Sequence, residues 1–163
     1  METIDLIVIS KSDGGDFTEF MTGLVRFGEI DAISVADMVR KVRNKAMEKS
    51  TQIRRLDIFA HGTNTYISLG KDTIHSYTPN KHSAPLVQLK GVFSENGFVV
   101  LKVCEIGQAE ELIVAIARAV GVPVFANKGG VSPNLNVGWG TWIVAKPDGT
   151  IKYMTFFNAN ERL

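Results

Sequence analysis

Leu101-Lys102-Val103-Cys104-Glu105-Ile106-Gly107 continues an apolar run, Phe98-Val99-Val100-Leu101, that is long enough for one buried strand. Helical periodicity follows from Gln108 to Val120, so the spacing predicts Cys104 at a strand-to-helix junction. In an open α/β sheet, ligands bind outside the carboxyl ends of the strands, so a nucleophile at such a junction faces a site. A second apolar stretch, Ile53 to Ala60, ends in the same manner at His61-Gly62. If these two strands are parallel neighbours, a thiol and an imidazole share one sheet edge, the arrangement that nucleophilic cysteine chemistry requires. At the start of a helix, the backbone dipole would also favour an anionic thiolate.

Working outward, Ile4 to Ile9 predicts a first buried strand, and Ser10 to Asp16 a Gly-containing turn without a phosphate-binding spacing. Phe17 to Phe27 predicts a short helix. Ser34 then stands as an N-cap with Asp37 three residues on, and Val35, Met38, Val39, Val42 and Ala46 fall on one helical face. Tyr66–Leu69 and Thr73–His75 predict a hairpin, Pro85 to Phe93 a helix, and Val122 to Ala126 a further strand. Asn127 to Val137 is a Gly- and Asn-rich loop on the edge expected to carry His61 and Cys104, where a loop of that length shapes a pocket. Trp139–Ala145 and Thr150–Phe156 flank Lys146-Pro147-Asp148-Gly149, a hairpin signal. Alternation of strand and helix argues for one α/β domain over residues 1–163, three-layered with a mostly parallel sheet.

Composition narrows the function. The 163 residues are 45% hydrophobic and 21% charged with a formal net charge of +1, which predicts no nucleic-acid partner and no membrane surface. One cysteine forms no internal disulfide, no stretch reaches the length of a membrane helix, and no signal-peptide pattern opens the chain. The expected location is cytoplasmic, unless a dedicated secretion system delivers the protein. His61, His75, His82 and Cys104 lack zinc-ligand spacing, so no metal and no cofactor is expected. A free cysteine or a lone histidine is also a common packing residue, and periodicity alone leaves that reading open.

Leu56 to Gly62, Ile67 to Gly70 and Val99 to Gly107 resemble the His-Gly and Cys blocks of the caspase-like (clan CD) cysteine peptidases. The Cys-Glu-x-Gly run is similar to bacterial CHAT domains, and Ala117 to Ala126 with Trp139 to Gly149 to bacterial toxin self-processing domains. The resemblance implies a caspase-like α/β/α fold, with His61 as general acid/base and Cys104 as nucleophile. Gly62, having no side chain, lets its N–H approach a substrate carbonyl, so an oxyanion hole is expected from the Gly62 and Cys104 N–H groups. The resemblance implies a substrate pocket near the Asn127 to Val137 loop, at Asn127, Lys128, Gly129 and Trp139. The implied activity is that of a cysteine endopeptidase on a protein or peptide substrate, with dimerisation or an activating ligand as the relatives use them. Val103 and Glu105 beside the cysteine, and the absence of a charge cluster marking a specificity pocket, support the alternative expectation of a catalytically silent binding or assembly module.

Overall fold

The computed structural model describes residues 1–11, 29–132, 137–138, 140–155 and 157–158. Its elements are β1 (Thr3–Ser10), β2 (Glu29–Ala32), α1 (Val35–Glu48), β3 (Gln52–Phe59), β4 (His61–Gly62), β5 (Tyr66–Leu69) and β6 (Asp72–His75). There follow α2 (Ser83–Val87), β7 (Phe93–Lys102), a 3-10 turn (Ile106–Gln108), α3 (Glu110–Val120), β8 (Val124–Asn127), β9 (Val131–Ser132), β10 (Val137–Gly138), β11 (Trp142–Ala145) and β12 (Ile151–Met154).

Seven strands form one sheet in the order β12-β11-β8-β7-β3-β1-β2. The run from β8 to β2 is parallel, and β11 and β12 add an antiparallel hairpin at one edge. The crossovers β2-α1-β3, β3-α2-β7 and β7-α3-β8 all step in one direction, so right-handed connections carry the three helices to one face. Apolar positions of period two line that face: Leu6 and Val8, Leu56 and Ile58, Val99 and Leu101, Val124 and Ala126, Ile143 and Ala145. Against them pack the five α1 residues expected from spacing, all buried, together with Leu86 and Leu89 and the apolar side of α3. Ser34 caps α1 by accepting the Asp37 N–H at 3.0 Å, while Asp37 reaches back to accept the Ile33 N–H at 3.2 Å.

The architecture is thus α/β with a mixed, mostly parallel sheet. The helix expected over Phe17–Phe27 lies outside the described residues, so the described helices cover one face only. Three boundaries differ from expectation. The helix from Pro85 ends at Val87, because Phe93 pairs with Ile53 and commits the chain to strand geometry before the apolar run at Phe98. β2 was not signalled by Glu29-Ile30-Asp31-Ala32, whose four residues take their strand identity from pairing with β1. No α-helix starts at Cys104: α3 begins at Glu110 after the 3-10 turn. The thiol therefore does not sit on an α-helix N-terminus, and the dipole argument for its ionisation falls away.

β4, β5 and β6 make a separate three-stranded antiparallel sheet, with His61 opposite Ser68 and Gly62 opposite Ile67. Ile67, Leu69 and Ile74 bury one side of it in the main core. Polar bonds secure the rest: Ser10 Oγ donates to the Ser68 carbonyl at 3.1 Å and accepts the Gly70 N–H at 2.8 Å, and Asp72 Oδ2 accepts the Val35 N–H at 2.9 Å. The small sheet is thereby fixed at the carboxyl end of β1 and the start of α1.

Candidate active site

β3 and β7 are adjacent and parallel, as required for His61 and Cys104 to share an edge. Phe59 pairs with Lys102, and Ala60 N–H reaches the Lys102 carbonyl at 3.5 Å, so the two strands run level to their ends. His61 and Cys104 are both exposed just beyond those ends. Gly62 and Val103 provide the contact between the two segments. A Cβ on Gly62 would collide with Val103 Cγ1 and lie 2.5 Å from the Tyr66 carbonyl oxygen, so only glycine lets the His-Gly strand approach the residue before Cys104 this closely.

The turn carrying Cys104 docks on the loop after β8. Glu105 adopts a left-handed backbone, φ 59°, and its N–H donates to the Gly129 carbonyl at 2.8 Å. Gln108 Nε2 donates to the Lys128 carbonyl at 2.8 Å, and Cys104 Sγ lies 3.9 Å from the Val131 carbonyl oxygen. Gly107 is pressed against the same loop, where a Cβ would lie 2.6 Å from the Asn127 carbonyl carbon. The expected pocket residues therefore divide. Asn127 is fully buried, its Oδ1 accepting the Gly129 N–H at 2.6 Å, so it shapes the loop from inside and does not line an open pocket. Lys128 turns away, with Nζ 3.7 Å from Glu110 Oε1 and 4.8 Å from the centre of the Tyr153 ring. Gly129 supports the Cys104 turn through its carbonyl. Trp139 lies outside the described residues.

A cavity of about 450 Å³ exists elsewhere, between Pro79–Asn80, Arg118 of α3 and Ile151 of β12, and includes neither His61 nor Cys104. Among the described residues, no group of three His, Cys, Asp or Glu side chains could hold a metal ion. No described helix is long and apolar enough to cross a membrane.

The sheet face opposite the helices holds what the sequence reading missed, a charge cluster in which Asp57 and Lys102 are buried and Arg55 is half-buried. Arg55 binds Asp57 in bidentate fashion, at 2.6 and 2.8 Å, and Lys102 is buried with Nζ 5.6 Å from the centre of the Trp142 ring. Phe98, Phe125 and Phe157 pack around them. The visible signal was Arg55 and Asp57 at period two in a buried strand, with Lys102 at the end of an apolar run. Burial pushes the Lys102 ammonium down to about 8 from 10.5, the Asp57 charge opposes this, and the Arg55 charge adds to it.

The depressed value fixes the sign of a stability change. Below pH 8 both folded and unfolded states hold the Lys102 proton and the burial cost is present in full. Between pH 8 and 10.5 the folded state releases the proton first, so this residue's contribution becomes less unfavourable as pH rises. The span corresponds to up to about 3 kcal/mol at ~1.4 kcal/mol per unit. Urea unfolding at pH 7.5 and pH 10 is expected to show wild type gaining stability relative to Lys102→Met. A constant difference between the two proteins would mean that Lys102 is not desolvated.

Comparison with known proteins gives one family: a domain of unknown function, DUF4347, whose profile matches residues 18–162. No curated protein matches the chain.

Proposed function

We propose that this chain, which belongs to the DUF4347 family, is a cysteine endopeptidase of caspase-like fold working through His61 and Cys104. The observation carrying this reading is the level, parallel pairing of β3 and β7, with an exposed imidazole and an exposed thiol beyond adjacent strand ends. The Cys104 thiolate attacks the carbonyl carbon of a peptide bond, forming an S–C bond and moving the carbonyl electron pair onto oxygen. The N–H groups of Gly62 and Cys104 hold that oxyanion. His61 gives a proton to the leaving nitrogen as the C–N bond breaks, then takes one from the water that hydrolyses the thioester. The polypeptide substrate is the partner this chemistry requires.

Alkylation of Cys104 by iodoacetamide, followed against pH in wild type, His61→Ala and denatured protein, tests the pair. The folded wild type is expected to react faster than the denatured chain below pH 8, and His61→Ala to lose about tenfold of that rate. Cys104→Ala is expected to remove peptide-bond hydrolysis by ~10³-fold or more. A thiol that reacts only after unfolding would overturn the peptidase reading and leave a catalytically silent binding module in its place.

A further inference from the structure

We infer that the outer face of the β4-β5-β6 sheet is a substrate shelf that holds an aromatic- or proline-bearing segment of the polypeptide on the leaving-group side of the cleaved bond. The inference rests on the role proposed for His61, and it adds a binding site to it. Antiparallel partners project their side chains to the same face, and parity along a strand does the same. Register pairs His61 with Ser68, Ser68 with Thr73, and Tyr66 with His75, so His61, Tyr66, Ser68, Thr73 and His75 share one face. Ile67, Leu69 and Ile74 occupy the other and are buried, which turns the first face outward on a rigid base.

That outward face carries an ordered aromatic surface. The His75 and Tyr77 rings stack with centroids 4.6 Å apart and 21° between planes, and Tyr66 lies 6.2 Å from His75. The Tyr77 N–H donates to His75 Nδ1 at 3.3 Å, which holds the stack in place. Tyr77 is nevertheless 81% exposed, an apolar ring presented to solvent beside a polar strip of Ser68 and Thr73. Tyr66 is the diagonal neighbour of His61, about 7–8 Å away, and the stack continues the surface beyond it. At about 3.3 Å per extended residue, Tyr66 lies two residues from the bond that His61 serves and the stack one or two residues further.

The side of the bond follows from the proton transfer. His61 must stand against the leaving nitrogen to protonate it, so the chain that continues from that nitrogen passes His61 first. Rigid, pre-stacked rings bind planar or ring-bearing side chains with little ordering cost, and a peptide with an aromatic or proline residue two to four positions after the bond fits them.

Selection of random 12-residue phage-displayed peptides on folded Cys104→Ala protein tests the shelf without turnover. The expected result is enrichment of aromatic- or proline-bearing peptides. Fluorescence anisotropy of a selected peptide should show about tenfold weaker binding to Cys104→Ala/Tyr77→Ala and near-normal binding to Cys104→Ala/Tyr77→Phe. Tyr77 is exposed enough for these variants to fold, and circular dichroism checks it. No retained peptides, or affinity unchanged by Tyr77→Ala, would overturn the shelf. The outcome is separable from the peptidase reading: Tyr77-dependent binding with an unreactive Cys104 keeps the shelf and removes the peptidase, and a reactive Cys104 with Tyr77-independent binding does the reverse.

Discussion

Gly62→Ala is expected to destabilise the protein by about 3 kcal/mol and to remove the fast alkylation of Cys104 expected of the wild type. The added methyl meets two groups with little room to yield. Val103 Cγ1 belongs to a fully buried side chain, and the Tyr66 carbonyl oxygen, 2.5 Å from the methyl position, is backbone within β5. Relief requires β4 to part from β5 or from the end of β7. Either movement separates the segment carrying His61 from the one carrying Cys104. Gly130→Ala is the control, because no heavy atom of the described residues lies within 4 Å of its Cβ position. Chemical denaturation of both variants and the alkylation rate of each decide the matter. A Gly62→Ala protein with wild-type stability and thiol reactivity would show that the two strand ends are not in close contact.

Asp57→Ala should cost about 3 kcal/mol, because it leaves the buried Lys102 and the half-buried Arg55 without their counter-charge. Asp57 is 6% exposed and supplies both carboxylate oxygens to Arg55, and its charge also favours the protonated Lys102. Without it, the half-buried Arg55 and the buried Lys102 repel one another across the β3–β7 pair, and Lys102 stays out of water. Part of the loss should return in Asp57→Ala/Lys102→Met, since removing one cation removes the repulsion and one desolvation cost. A double-mutant cycle measured by urea unfolding gives the coupling directly. Additive single effects would mean that Asp57 and Lys102 do not interact.

The two faces of the seven-stranded sheet are unequally legible in sequence. On the helical face, apolar positions recur at 3.6 in α1 and at two in β3 and β7, because burial of a single face imposes that repeat. The α1 face, its Ser34 cap and the β3 and β7 cores were accordingly all foreseen. On the other face the same period-two logic points at Arg55, Asp57 and Lys102. The residues are charged: Arg55 pairs locally with Asp57 two residues on, whereas the burial of Asp57 and Lys102 follows from the pairing of β3 with β7 and from aromatic cover by Trp142 and Phe157, which are remote in sequence.

Around the candidate site the division is sharper. That His61 and Cys104 end two apolar strands is a statement about local pattern, and the chain carries it unaided. The Cys104 turn is different. Gln108 to Val120 has continuous helical periodicity, yet residues 104–109 are drawn into a turn by the Gly129 and Lys128 carbonyls and the close approach of Gly107 to Asn127. Contacts between segments some twenty residues apart outweigh a helical preference of a few tenths of a kcal/mol per residue. β2 and the pairing of β4 with β5 likewise depend on which strands lie alongside. Periodicity by itself determined the α/β class, the buried helical face and the presence of a histidine and a cysteine at strand ends. Tertiary structure alone decided that those ends are neighbours, that Asn127 is a buried support, and that Tyr66, His75 and Tyr77 share a face with His61. The physical reason is that burial of one face leaves a repeat in the sequence, whereas register and docking join residues whose spacing along the chain carries no repeat at all.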